Sequence, residues 1–163
     1  MNIRALKQDE LLIVHEIAHA TWPDTFKDIL TQEQIQYMLN WMYNLKHLEN
    51  QFNQGHQFYI AELEEMPVGF IGIEPNHPEK GLTKIHKIYI LPNKQGLGIG
   101  KKLIEYVKEL SIQSEMEGLL LNVNRYNKAV DFYKAIGFNI LFEENIDIGN
   151  GYLMEDFVMK LEL

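Results

Sequence analysis

Two groups of residues in this chain have the types and spacing to do chemistry. The first is Gln95-Gly96-Leu97-Gly98-Ile99-Gly100, which follows the β-branched run Ile85 to Ile90 and opens an amphipathic segment at Lys101. Glycines on alternate positions let a backbone turn sharply and aim successive N–H groups into one concavity. The positive end of the helix behind them favours negative charge, so strand, glycine turn and helix together suit a pyrophosphate. A dinucleotide fingerprint beginning at Gly96 would need glycine where Lys101 stands. A G-x-x-x-x-G-K-[ST] phosphate loop would need glycine and a hydroxyl where the chain has Gln95 and Lys102. The second group runs from Ala129 to Phe138 and contains Tyr133. A tyrosine phenol can donate a proton or simply pack one turn before the helix stop.

The elements that must hold these groups follow from hydrophobic period. Residues 2–6 suit a short strand. Apolar residues at 11, 14, 17, 18 and 20 predict a helix over Leu11–Ala20, broken by Trp22-Pro23-Asp24. Thr31 and Gln34 form a capping box ahead of Ile35, Met38, Leu39 and Met42, a second helix. Leu45, Leu48 and Phe52 extend a further turn or two, ending near Gly55. Phe58–Ala61 and Val68–Ile73 then alternate as strands joined by Glu64-Glu65-Met66-Pro67. Pro75 to Thr83 is an exposed loop, and Ile85–Leu91 is a strand stopped by Pro92. Ile99–Leu110 is helical, Leu119–Val123 a buried strand, and Tyr126–Ile136 a helix closed by Gly137. A last strand pair, Phe138–Phe142 and Phe157–Leu163, is linked through Gly149-Asn150-Gly151. The strand–helix–strand crossover makes 85–91 and 119–123 parallel, with a ligand expected at their carboxyl ends. The reading is one α/β domain over residues 1–163, without repeats or linkers.

Composition narrows the function. The formal net charge is −8, from 23 acids against 15 bases, spread without a run of like charge. Such a surface repels nucleic acid and attracts cationic small molecules. No window reaches the ~18 apolar residues of a membrane span, and the Met1-Asn2-Ile3-Arg4 start lacks a leader pattern, so a cytoplasmic protein is expected. Zero cysteines removes disulfides, thiolate metal sites and a cysteine nucleophile. The six histidines are scattered, and His15 and His19 lack the acid of an H-E-x-x-H helix, so no metal site is expected.

The glycine loop resembles the Q/R-x-x-G-x-G/A signature of the GCN5-related N-acetyltransferases, filled by Gln95, Gly98 and Gly100. The second segment resembles that family's closing N-x-x-A-x-x-x-Y-x-x-x-G-F, with Ala129, Tyr133, Gly137 and Phe138 in register. Tyr126 occupies the asparagine slot, and Asn127 comes one residue late. The resemblance implies an α+β fold, a mixed central sheet with two splayed parallel strands flanked by helices. It implies acetyl-CoA as donor, with Gln95, Gly96, Leu97, Gly98, Ile99 and Gly100 at the pyrophosphate and Lys101 adding charge. Ile88, Tyr89 and Ile90 would line the acetyl-pantetheine arm and offer N–H groups to the thioester carbonyl. Asn122 would end the partner strand, and Asn127 would supply a further contact. Tyr133 falls in the general-acid slot. His86 is the candidate base, since strand alternation puts 86, 88 and 90 on one face. Thr21 to Phe26 resembles the T-F-x-D-T-F stretch of the PaiA-type spermidine/spermine acetyltransferases. There Trp22, Asp24, Phe26 and Asp28 would form aromatic and acidic walls for an amine acceptor, a polyamine among the candidates. The rival readings are a peptide or protein N-terminal acetyltransferase and a non-catalytic acyl-CoA sensor. The sequence leaves a homo-oligomer open.

Overall fold

The computed structural model describes residues 1–163. Its strands are β1 (Asn2–Ala5), β2 (Gln57–Leu63), β3 (Met66–Pro75), β4 (Leu82–Ile90), β5 (Gly118–Asn124), β6 (Asn139–Gly149) and β7 (Tyr152–Glu162). Its helices are α1 (Leu11–Phe26), α2 (Gln32–Met42), α3 (Leu45–Asn53), α4 (Ile99–Gln113) and α5 (Ala129–Ala135). The strands form one mixed sheet in the order β1-β2-β3-β4-β5-β7-β6. Alternation along each strand sends its apolar residues to two cores, one per face. On one face α1 to α3 bury Val14, Trp22, Leu39 and Leu48 against Phe58 and Phe70. On the other, α4 and α5 bury Leu103, Val107, Val130 and Tyr133 against Ile71, Ile85 and Leu121.

The feature that positions the site is a gap in the sheet. β4 and β5 are parallel and pair only from Leu82–Ile85 to Gly118–Leu121. Beyond Ile85, β4 stays with β3 as far as Ile90 opposite Gly69. β5 stays with β7 as far as Asn124 opposite Asp156. The strands are parallel, as the crossover predicts, and they diverge toward their carboxyl ends to leave a wedge, as the family resemblance implies.

Three expectations about elements need correction. α1 does not stop at Trp22-Pro23-Asp24 but continues through Pro23 to Phe26. Proline removes one helix hydrogen bond and disfavours helix in the residue before it. Burial of Trp22 (3% exposed) and Phe26 (5%) on the α1–α3 core outweighs that local penalty. β6 and β7 are long, eleven residues each, where only short strands were read. β6 is exposed along most of its length and carries Glu143, Glu144, Asn145 and Asp147, so no apolar alternation announces it. α5 begins at Ala129 rather than Tyr126, because Asn127 Oδ1 accepts the Ala129 N–H (2.9 Å) and fixes the start there.

The capping box at α2 is half formed. Thr31 Oγ1 accepts the Gln34 N–H at 3.1 Å, while the Gln34 amide donates instead to the Leu153 carbonyl at 3.0 Å, tying α2 to β7. Thr31→Ala is expected to lower stability by about 1 kcal/mol, the usual cost of losing an N-cap. A urea midpoint unchanged from the parent chain would show that the cap contributes nothing.

Candidate active site

The glycine loop is shaped by backbone conformations that only glycine adopts freely. Gly96 (φ 78°) and Gly98 (φ 76°) are both left-handed, and nothing lies within 4 Å of where a Cβ would stand at either. Ile99, 2% exposed, anchors the far side of the loop in the α4–α5 core. Gln95 Nε2 donates to the Ile90 carbonyl at 3.1 Å, so the loop is tied to the end of β4. The result is an open cradle over the N-terminus of α4, with Lys94, Lys101 and Lys128 on the same cavity wall. An open, amide-lined cradle with three lysines fits a pyrophosphate. The Leu97 side chain does not line the cavity and is exposed, which leaves only its main-chain N–H to serve the loop. Lys101 divides its charge with Glu105, 3.9 Å away.

Main-chain polarity in the wedge follows from one hydrogen bond. Leu91 N–H donates to the Val68 carbonyl at 2.9 Å, so Leu91 faces β3. Residues in an antiparallel ladder alternate between bonding their partner and facing away. With Tyr89 opposite Phe70, Tyr89 also bonds β3, and the N–H groups of Ile88 and Ile90 face the side that β5 has left. These are the amides available to a ligand in the wedge. Tyr89 contributes its ring instead, packed near Trp22, Tyr43 and Phe70.

A cavity of about 1060 Å³ joins the cradle, the wedge and the end of α1. Tyr133 lines it from α5, 7% exposed, with Phe132 and Phe138 rings 5.3 and 5.7 Å away. Burial alone pushes its phenol well above the usual value, so it stays protonated. Asn122 lines the cavity, but its amide is engaged: Lys84 Nζ donates to its Oδ1, and its Nδ2 donates to Glu144 (2.9 Å) and Asp156 (3.2 Å). Asn127 also lines the wall, its Oδ1 held by α5.

His86 does not share a face with Ile88 and Ile90. The ladder between β3 and β4 slips at Gly72/Ile73, pairing Gly72 with Lys87 and Ile73 with Ile85, so His86 is the extra residue of a β-bulge. Ile85, Ile88 and Ile90 pack on the α4–α5 core, a three-residue step that marks the slip. His86 is thereby turned to the other face of the sheet, where its Nε2 lies 2.8 Å from Glu74 Oε2. Burial drives its pKa down to about 4, which makes it a weak acceptor for an ammonium proton.

The proposed acceptor residues all reach the cavity. Trp22 and Phe26 form its buried wall from the last turns of α1. Asp24 and Asp28 are exposed at its mouth, Asp24 3.7 Å from Lys27. Two further cavity residues have no assigned role in the sequence reading, and one of them, Lys87, is expected from its charge to be exposed. Asp156 of β7 is 3% exposed, and desolvation raises its pKa against the opposing hydrogen bond from Asn122. Lys87 is 7% exposed, its ammonium 5.2 Å from the centre of the Tyr43 ring, and burial pushes it down to about 8. The available signal was an acid between Met154 and Val158 and a lysine between Ile85 and Ile88, charges set inside apolar strands.

Known proteins supply the remaining comparison. The family model described as the acetyltransferase (GNAT) domain matches residues 26–161. The peptidyl-lysine N-acetyltransferase YjaB of Salmonella typhimurium is 34% identical over 91 residues, 55% of this chain and 54% of that one. The thialysine N-epsilon-acetyltransferase of Bos taurus is 40% identical over 60 residues, 36% of this chain and 35% of its own length. The chain thus spans about half or less of these relatives. In fold, the crystal structure of PaiA N-acetyltransferase from Thermoplasma acidophilum in complex with coenzyme A superposes with a TM-score of 0.83, at 24% identity, over 99% of this chain and 98% of that one. No helix is long and apolar enough to cross a membrane. With the domain match covering all but the first strand and most of α1, this chain belongs to the GNAT acetyltransferase domain family.

Proposed function

We propose that the chain transfers an acetyl group from acetyl-CoA to the primary amine of a small cationic acceptor, of the polyamine class. The observation that carries this reading is the single cavity in which cradle, wedge, Tyr133 and Asp156 meet. The main-chain N–H groups of Gly96 to Gly100 and the nearby lysines hold the diphosphate. The thioester lies in the wedge, where the amides of Ile88 and Ile90 stabilise the oxyanion as the amine adds to the carbonyl carbon. The C–N bond forms, the C–S bond breaks, Tyr133 donates its proton to the departing sulfur, and the proton shed by the acylated nitrogen restores the Tyr133 phenol.

Attack requires a neutral amine, and an alkylammonium has a pKa near ~10. Asp156 is the proton acceptor we favour over His86, because it is buried on the cavity wall beside Asn122, whereas the His86 ring is held 2.8 Å from Glu74. Lys87 sets a positive charge on the same wall, which favours entry of the reacting nitrogen uncharged. A second ammonium on the acceptor would rest at the mouth beside Asp24 and Asp28. The PaiA-like fold and this acidic, aromatic mouth support the polyamine class. The peptidyl-lysine relative favours a second reading, acetylation of a lysine side chain. Thiol release measured across spermidine, spermine, short diamines and a lysine peptide separates the two. Turnover highest with polyamines supports the first; turnover with the peptide alone overturns it.

Asp156→Asn is expected to reduce kcat/KM by ~10²-fold or more and to abolish the acid limb of its pH profile. The same variant is expected to be more stable than the parent at neutral pH. A raised carboxyl pKa means that the folded chain holds this proton more tightly than the unfolded chain does. The penalty for ionising it is therefore absent below the ordinary 3.8 and complete above the raised value. A Tm gain that is present at neutral pH and gone in acid checks the sign. An unchanged pH–rate profile would remove Asp156 from the chemistry.

A further inference from the structure

We propose that His56, Glu74 and His86, with His77 at its edge, form a binding site for a zinc-class divalent transition-metal ion, on the face of the sheet that carries α1 to α3. His56 stands at the entry to β2, Glu74 near the end of β3, His77 in the following loop and His86 in the β4 bulge. These positions are far apart in sequence, yet three imidazole nitrogens converge on a single carboxylate oxygen. Glu74 Oε2 lies 2.8 Å from His86 Nε2, 3.3 Å from His56 Nε2 and 3.4 Å from His77 Nδ1. The donor atoms of His56, Glu74 and His86 all fall within 4.8 Å of one another.

A carboxylate oxygen has two lone pairs, so three imidazoles around it exceed what hydrogen bonding can satisfy. A cation among His56, Glu74 and His86 satisfies three donors at once and leaves a fourth position for water, with His77 Nδ1 beside the same carboxylate oxygen at the open edge. In a tetrahedral zinc site with bonds of ~2.1 Å, neighbouring donors stand ~3.4 Å apart, close to the Glu74–His56 separation of 3.3 Å. A set of two imidazoles and a carboxylate suits zinc, nickel or cobalt and not calcium or magnesium, which want oxygen. The site is set back from solvent, with the His56 side chain 9% exposed, and His77 at 46% leaves a path for entry. The β-bulge that spoils the alternation of β4 is what aims His86 here. Since His86 also lines the active cavity, a bound ion would fix that wall.

The test uses the full chain, stripped with a chelator and titrated with Zn²⁺ in a calorimeter, with Co²⁺ absorption as a second readout. One equivalent is expected, with intense visible Co²⁺ bands of a tetrahedral site and a Tm that rises with metal concentration. Glu74→Gln and His56→Ala should each weaken binding at least ~10-fold, as even outer partners of a metal do. A cooperative thermal melt of each apo variant establishes that it is folded. Absence of stoichiometric binding, or binding untouched by both substitutions and lost in His19→Ala, would overturn the site.

Discussion

Tyr133→Phe is expected to lower kcat by ~10²-fold or more while leaving KM for acetyl-CoA unchanged, because only the proton donor is lost. The ring stays, so the packing against Phe132 and Phe138 and the burial on the α4–α5 core are retained. The phenol is buried and its pKa raised, which keeps it protonated through the working range. In the proposed mechanism the coenzyme A thiolate, whose thiol pKa is near ~8.5, receives its proton from this neutral phenol. Steady-state kinetics with a good acceptor checks this. A fall in coenzyme affinity with unchanged kcat would make Tyr133 a packing residue instead.

Gly98→Val is expected to weaken coenzyme A binding ~10²-fold or more. Two causes act together, and a second substitution separates them. Valine in a left-handed conformation strains the backbone by roughly 1–2 kcal/mol. Its side chain would also occupy the open space over the cradle and deny the diphosphate its main-chain N–H groups. Charge-assisted bonds of that kind are worth about 1.5–3 kcal/mol each, and every 1.4 kcal/mol is tenfold in affinity. Gly55, at φ 101° and equally free of neighbours, lies beyond α3 and outside the cavity. Gly55→Val should lose comparable stability and bind coenzyme A normally. Equal loss of binding in both variants would assign the effect to general destabilisation and contradict the cradle.

The readings that held were those whose physics is local. Glycine spacing between a strand and a helix fixes a turn, and the cradle at Gly96 and Gly98 is that turn. The crossover rule gave the parallel β4–β5 pair because chain handedness leaves little choice. The errors arose where a distant partner decides. The phase of β4 depends on a slip against Gly72 and Ile73, which nothing within Ile85 to Ile90 reveals, so His86 was assigned to the wrong face. α1 runs past Pro23 because the core accepts Trp22 and Phe26, a tertiary gain that helix-stop rules do not weigh. The β6–β7 ribbon gave no periodic signal because most of β6 meets solvent on both faces.

The same distinction governs the site. Tyr133 is legible as a cavity-lining candidate because its position is marked within a ten-residue segment. Asp156 enters the cavity only because β7 lies antiparallel to β5 with Asp156 opposite Asn124. The three imidazoles around Glu74 meet through strand pairing and a loop, and looked scattered along the chain. Trp22, Asp24, Phe26 and Asp28 were correctly grouped, although they come from the end of a helix and its exit, not from a loop between helices.

A crystal structure with coenzyme A decides whether the glycine turn is the diphosphate site. The diphosphate should lie on the main-chain N–H groups between Gly96 and Gly100 and the pantetheine arm in the wedge beside Ile88 and Ile90. The sulfur should come within hydrogen-bond reach of the Tyr133 hydroxyl. Coenzyme bound away from the glycine turn, or with its sulfur on the opposite side of the sheet from Tyr133, would contradict it.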